Sequence, residues 1–186
     1  MRFVLKKASD LPEEFEIEFV KLKDGHYDFQ NEAKLSFFEC FENPDVKGAQ
    51  VEVSLGLDKN VHMMQVIIQV KGTVDVTCDR CLELIARPVQ SQYRIVYHFQ
   101  GENNNQADEE QLEVEYVELA HNATSFNVAR QVYETILLCI PMIRNCDDME
   151  IKPCNAQMLE KLNTLQAGEE AQADPRWDKL KELFKK

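Results

Sequence analysis

Glycine and histidine are scarce in this 186-residue chain, and their scarcity excludes several classes of function. Six glycines leave little material for a loop that cradles phosphates, and neither G-x-G-x-x-G nor a P-loop pattern occurs. The sequence also lacks G-x-S-x-G and H-E-x-x-H. The histidines have no metal-ligand spacing and no evident nucleophile partner; they are His26, His62, His98 and His121. These absences predict a protein that is not an enzyme and has no small-molecule substrate.

Basic residues are also few. Lysine and arginine total 21 against 33 acidic residues, which gives a formal net charge of −12 at pH 7. Sequence-independent affinity for nucleic acid depends on cationic side chains that displace counterions from phosphates. The charge therefore disfavours extensive direct binding of RNA or DNA and favours a basic partner protein. An acidic surface that only maintains solubility explains the same charge.

Long hydrophobic runs are missing as well. The first residues contain no apolar core of a signal peptide. The longest apolar run, from Ile136 to Ile143, is interrupted by Pro141 and is too short to cross a bilayer. We therefore expect a cytoplasmic protein with no membrane contact. A chain of this length with 44% hydrophobic residues can bury one core, and we expect one α+β domain over residues 1–165.

The first half of the chain has the alternation of apolar and polar residues that is typical of strands. The predicted strands cover residues 15–19, 51–57, 61–76 and 89–97, with a hairpin loop at residues 58–60. We expect them to form an antiparallel, curved sheet or partial barrel.

The second half of the chain favours helices that pack on this sheet. Ser125 or Asn127 can cap a helix that Pro141 ends, because proline cannot continue a helix. A second helix is expected after Cys154, with Asn155 as its cap.

Three other segments are predicted to lie outside this regular structure. Residues 101–113 are polar and acidic and predict a solvated loop. Residues 166–173 predict a linker. Asp174-Pro175 then begins an amphipathic helix over residues 174–186, because proline is favoured in the first turn.

Four of the six cysteines have the arrangement of a metal site. Cys78 and Cys81 form a C-x2-C pair at a predicted strand-to-strand turn, and Cys146 and Cys154 follow with seven residues between them. Thiolates are good zinc ligands, and four of them complete a tetrahedral structural site. We predict one structural Zn²⁺ per chain, a zinc knuckle that ties the tail of the chain to its middle. The second spacing is wider than is usual.

Two other interpretations of the cysteines remain open. Unliganded cysteines can be core residues, which we expect of Cys40 and Cys139 because both lie in apolar surroundings. Cys78 and Cys81 could also form a redox dithiol. That interpretation is less favoured, because a strand pattern follows the pair where reactive dithiols have a helix.

Four segments together resemble the YceD family, the large ribosomal RNA subunit accumulation proteins. The segments are Gly72–Leu82, Ile136–Pro141, Cys146–Asn155 and Asp174–Leu180, and the resemblance covers about residues 50–186. It implies a non-catalytic role in the accumulation of 23S ribosomal RNA and in assembly of the large ribosomal subunit. Family members often have histidine where this chain has Cys146, and some lack the full ligand set, which implies that metal is not essential to the family's shared role.

Charge and resemblance together suggest how the protein acts. The first hypothesis is binding of a basic ribosomal protein, an assembly factor or a large-subunit assembly intermediate. The predicted contact residues are Arg80 and three glutamates of the acidic segment Glu102–Glu118, namely Glu109, Glu110 and Glu113.

The second hypothesis is direct contact with ribosomal RNA through Arg80, Arg87 and Arg94. A nuclease or an RNA-modifying enzyme is a more distant alternative, since no acid–base or catalytic metal cluster is visible.

Overall fold

The computed structural model describes residues 11–99, 114–146 and 155–166. In this part of the chain seven strands and three helices follow one another. They are β1 (Glu16–Ile17), β2 (Gly25–Lys34), α1 (Leu35–Glu39), β3 (Val46–Lys59), β4 (Met63–Thr77), β5 (Leu84–Phe99), β6 (Val114–Leu119), β7 (Phe126–Asn127), α2 (Ala129–Leu138) and α3 (Ala156–Gln166). Two short 3-10 turns, Glu13–Phe15 and Phe19–Lys21, flank β1.

The main sheet has five strands in the order β2-β3-β4-β5-β6. The pairs β2–β3, β3–β4 and β4–β5 are antiparallel, whereas β6 lies parallel to β5. The predicted α+β class with a mostly antiparallel sheet is confirmed, and the sheet is not closed into a barrel. Strand β6 lies beyond the predicted strands, and it adds a parallel neighbour to the antiparallel sheet. Parallel neighbours need a longer connection than a hairpin, and residues 100–113 separate these two strands in sequence.

Alternation along the strands gives the sheet one buried face and one exposed face. Over residues 51–57 of β3 and 64–70 of β4 every second side chain is buried; these are Val51, Val53, Leu55, Leu57, Met64, Val66, Ile68 and Val70. Helix α2 contacts β4 and β5 and contributes the buried side chains of Val132 and Ile136 to the same core. One hydrophobic core therefore lies between the sheet and the helices, while the opposite face of the sheet carries polar residues.

Two strand boundaries differ from the prediction. The predicted strand over residues 15–19 is only the two-residue β1, which pairs with β7. The hairpin loop lies at residues 60–62, because Asp58 and Lys59 still pair with β4. The Lys59 Nζ also donates hydrogen bonds to the carbonyl oxygens of Phe19 and Leu22, at 3.0 and 2.6 Å, and so joins the end of β3 to the segment after β1.

Asparagine side chains begin both longer helices. The Oδ1 of Asn127 accepts a hydrogen bond from the Ala129 N–H at 2.8 Å, and α2 ends at Leu138, before Pro141. The Oδ1 of Asn155 accepts from the Met158 N–H at 3.1 Å. Both predicted helices are confirmed. Asn155 caps α3 as predicted, whereas the N-cap residue of α2 is Val128 and Asn127 precedes it; both asparagines satisfy an N–H group that has no partner within its helix.

The isolated cysteines are less buried than expected. Cys40 and Cys139 follow the last residues of α1 and α2 and are only partly buried. Each Sγ donates to a carbonyl oxygen four residues earlier, that of Ser36 at 3.3 Å or Thr135 at 3.2 Å. Cys139 packs against the core as expected, although it is only partly buried, whereas Cys40 is not among the residues that pack there.

Several predicted segments lie outside the described residues. These are the acidic loop over residues 101–113 and the helix over residues 174–186. The linker over residues 166–173 also lies outside, except for Gln166, the last residue of α3. No helix in the described part of the chain is long and apolar enough to span a membrane.

Candidate metal centre

A tight turn joins β4 to β5 and carries the C-x2-C pair. The Cys78 N–H donates to the Glu83 carbonyl oxygen at 2.9 Å, and the Leu82 N–H donates to the Cys78 carbonyl oxygen at 3.1 Å. Leu82 has a φ of 62°, in the left-handed region that favours glycine. With this backbone the turn is short enough for Cys78 and Cys81 to direct their sulfur atoms to one side.

An ion pair fixes the segment after α2 to this turn. The Arg144 N–H donates to the Oδ2 of Asp79 at 2.7 Å, and the Arg144 Nη2 lies 3.0 Å from Oδ1. The Asp79 N–H donates in return to the Arg144 carbonyl oxygen at 2.9 Å. The Arg144 N–H is the main cause that lowers the pKa of the Asp79 carboxyl; burial opposes it, and the guanidinium adds to it. Asp79 and Arg144 thus join segments that are 65 residues apart.

Three sulfur atoms converge beside this ion pair. The Sγ atoms of Cys78, Cys81 and Cys146 all lie within 4.8 Å of one another, and those of Cys81 and Cys146 are 3.8 Å apart. A tetrahedral zinc ion with Zn–S bonds of about 2.3 Å places its sulfur ligands about 3.8 Å apart. A disulfide would need about 2.05 Å. The three buried cysteines therefore have the spacing of ligands to one metal ion.

Hydrogen bonds around the sulfur atoms favour the thiolate form. Burial raises the pKa of the Cys78 thiol, but the backbone N–H groups of Cys81, Arg80 and Cys146 donate to the sulfur and bring its pKa down to about 7. The Arg80 Nη2 also lies 3.9 Å from the Cys146 Sγ. Because a metal binds the thiolate, these donors are the surroundings that a thiolate–metal centre requires.

The fourth predicted ligand, Cys154, lies outside the described residues. Its neighbour Asn155 lies at the turn, where its Nδ2 donates to the Glu83 Oε1 at 3.0 Å. The residue that follows Cys154 therefore lies close to the C-x2-C pair.

The redox interpretation finds little support in the geometry. Cys78 and Cys81 are 0% and 1% exposed. Thiol–disulfide exchange requires attack on an accessible sulfur, and neither sulfur is accessible in the folded chain.

The predicted partner-binding residues fall into two groups. Glu109, Glu110 and Glu113 lie outside the described residues. Arg80 is partly buried at the cysteine cluster. Its guanidinium lies beside the Cys146 sulfur atom.

Arg87 is buried next to the cysteine cluster. Its side chain is 8% exposed, and its Nη2 donates to the carbonyl oxygen of Asn145, next to Cys146. This burial disfavours Arg87 as a contact to RNA. A sequence signal could have shown it, since Arg87 alternates with Ile85 and Val89 on the buried face of β5. Arg94 is partly buried on the other face.

We expect Arg87→Met to lower the free energy of unfolding by about 2 kcal/mol, because it removes a charged donor from a partly buried carbonyl group. Arg94→Met is the matched control and should change stability by less than about 0.5 kcal/mol. Urea denaturation of both variants measures the difference. Equal effects would contradict the assigned role of Arg87.

The part of the chain that contains the cysteine cluster matches a known protein family. The family described as "Large ribosomal RNA subunit accumulation protein YceD" matches residues 66–184, well over half of the chain. The chain belongs to the YceD family. No curated protein and no solved structure matches it. The YceD match includes β4, β5, the three clustered cysteines and Arg87, and the family's name implies a role in the accumulation of large-subunit ribosomal RNA.

Proposed function

We propose that this protein is a non-catalytic factor that supports accumulation of 23S ribosomal RNA and assembly of the large ribosomal subunit in the cytoplasm. The observation that carries the proposal is the YceD match over residues 66–184. The protein acts by binding a basic ribosomal protein or a basic assembly factor. Its net charge of −12 supports such a partner, because like charge repels the phosphates of free RNA.

The cysteine cluster has a structural role in this proposal. Cys78, Cys81 and Cys146 hold one Zn²⁺, and Cys154 supplies the fourth thiolate. A site closed by four protein ligands leaves no position for a substrate. The 3.8 Å sulfur separation and the position of Asn155 beside Glu83 support this assignment. The ion would hold the segment that follows α2 against the β4–β5 turn.

The arginines support a protein partner over direct RNA contact. Of the three arginines in the RNA hypothesis, Arg87 is buried and Arg80 lies partly buried against a sulfur atom. Binding along a phosphate backbone needs several accessible cations on one surface. The two arginines near the cysteines contribute instead to the fold of the cluster.

Depletion of the protein from the cells that make it tests the role in ribosome assembly. We expect the ratio of 23S to 16S ribosomal RNA to fall and the large-subunit peak to shrink on a sucrose gradient, with recovery when the wild-type chain is restored. Depleted cells with unchanged gradients and unchanged 23S levels would refute the role.

A pulldown with the purified full chain tests the mechanism. Basic proteins of the large subunit should be retained at low salt and released as the salt concentration rises, because screening weakens contacts between exposed charges. Retention of protein-free ribosomal RNA in their place would contradict the proposed partner.

A further inference from the structure

Strand β2 forms an open edge of the main sheet. It is ten residues long, and among the described residues it pairs with β3 alone. It contains no proline, and its register with β3 has no bulge. Proline, bulges and short length are devices by which proteins protect edge strands from further pairing. Without them, β2 remains geometrically able to accept another strand.

The hairpin that joins β3 to β4 shows which backbone groups of β2 point outwards. The Asn60 N–H donates to the Met63 carbonyl oxygen, and hydrogen-bonded pairs alternate along antiparallel strands from that point. The odd-numbered residues of β3 therefore bond to β2, through the odd-numbered residues of β2. The outward-pointing groups belong to His26, Asp28, Gln30 and Glu32, and none of them has another backbone partner within the described residues.

A groove of about 970 Å³ lies beside this edge. Carboxylates dominate its charge, and they come from Glu13, Glu14, Glu32 and Glu52. Among the described residues of the lining the one lysine is Lys34, which is paired with Glu32 at 2.7 Å. An extended chain along β2 would therefore lie in an acidic groove.

Two of these carboxylates lie directly opposite each other. Glu32 of β2 and Glu52 of β3 form a cross-strand pair, and like charges in that position destabilise a sheet. Lys34 beside Glu32 and Lys71 opposite Glu52 offset the repulsion in part. A cationic side chain from a ligand would relieve the remainder, which indicates the charge of the ligand.

We propose that β2 is the docking strand for an extended basic segment of a protein partner, which adds to the sheet beyond β2. The backbone of that segment pairs with His26 to Glu32, and its lysines or arginines face the carboxylates of the groove. The identity of the partner rests on the function proposed above; the surface rests on the geometry of β2. Phosphates are repelled here. A second copy of this chain would bring its own acidic edge against Asp28 and Glu32.

The probe is a fluorescent peptide, about as long as β2, in which lysine alternates with threonine. We expect saturable binding to the full chain by fluorescence anisotropy, and a loss of affinity of about tenfold or more in Glu32→Lys/Glu52→Lys. The matched control is Glu134→Lys/Glu160→Lys, two exposed glutamates on α2 and α3. It changes the net charge equally and should leave the affinity within about twofold. Equal losses in both variants would overturn the proposal.

Gln30→Pro separates strand pairing from attraction by charge alone. The Gln30 N–H points away from β3, and proline is tolerated in edge strands where that group faces solvent. The variant should lose peptide binding while Gln30→Ala retains it. If Gln30→Pro bound the peptide as well as Gln30→Ala, strand addition would be refuted, and tighter binding of an RNA oligomer at the edge would refute the protein partner. Should Gln30→Pro fail to fold, Asp28→Pro with Asp28→Ala as its control makes the same test, because the Asp28 N–H also points away from β3.

The cellular result separates this proposal from the one on which it rests. If depletion lowers 23S levels but Glu32→Lys/Glu52→Lys fully restores them, the docking edge is wrong and the assembly role stands. If the peptide binds β2 as expected but depletion has no effect on 23S levels, the docking edge stands and the assembly role fails.

Discussion

The Cys81→Ser variant is expected to lose the zinc ion proposed above and more than about 4 kcal/mol of folding stability. Serine is a poor zinc ligand, and Cys81 lies 3.8 Å from Cys146, which comes from a segment far away in sequence. Without the ion, the segment that contains Cys146 is no longer linked through a metal to the β4–β5 turn. The remaining thiols are then buried without a metal. Metal analysis of the purified protein and urea denaturation measure the two effects.

Cys40→Ser and Cys139→Ser are matched controls for this experiment. Each of these cysteines donates to a backbone carbonyl four residues earlier, and a serine hydroxyl can donate in the same way. Both variants should retain zinc and stay within about 1 kcal/mol of the wild type. A chelator should lower the stability of the wild type towards that of Cys81→Ser and have no effect on that variant.

Three observations together would contradict the metal assignment. A wild-type protein that is purified from cells without metal, does not respond to a chelator and forms a Cys78–Cys81 disulfide under mild oxidation would overturn the metal assignment and revive the dithiol interpretation.

The Gly72→Ala variant should lose about 3 kcal/mol or more of stability, because the added methyl group has no space. Gly72 lies in β4 opposite Val51. A Cβ at this position would overlap the Gln50 carbonyl oxygen and lie 2.7 Å from the Val51 Cα. Both contacts are with backbone, so relief requires β3 and β4 to move apart. The free energy of unfolding in urea measures this cost.

Gly56→Ala is the control at a glycine of the neighbouring strand. The nearest atoms to a Cβ there are side-chain atoms of Asp28 and His26, each at 3.7 Å, which is ordinary contact. This variant should be neutral or slightly stabilising, by up to about 1 kcal/mol, because alanine has less freedom to lose on folding. If Gly56→Ala were as harmful as Gly72→Ala, the close approach of β3 and β4 at Gly72 would not be the cause.

Features that depend on near neighbours could be predicted from the sequence. Alternation of apolar residues along β3 and β4 predicts both the strands and the face that is buried. Asn127 and Asn155 predict the starts of two helices because capping involves residues only two or three positions away. The position of the C-x2-C pair in a strand turn follows from the strand patterns on either side of it.

Features that depend on distant segments could not be predicted in the same way. The parallel pairing of β6 depends on how the chain returns after β5, which no local pattern specifies. The role of Arg87 depends on the Asn145 carbonyl, 58 residues away. Alternation with Ile85 and Val89 indicates that Arg87 lies on the buried face, but no local pattern specifies the carbonyl group that it contacts there.

The cysteine cluster combines a feature that depends on near neighbours with one that depends on distant segments. Residue type and the C-x2-C spacing alone determined that Cys78 and Cys81 could share a metal ion, because two thiols on a short turn lie close together in any fold. Residue type also suggested Cys146 as a partner, but only the tertiary structure decided that its sulfur lies beside theirs, since its approach depends on the Asp79–Arg144 ion pair and on the buried Arg87. Spacing in sequence limits the distance between near residues, whereas the distance between residues far apart is determined by the packing of the whole chain.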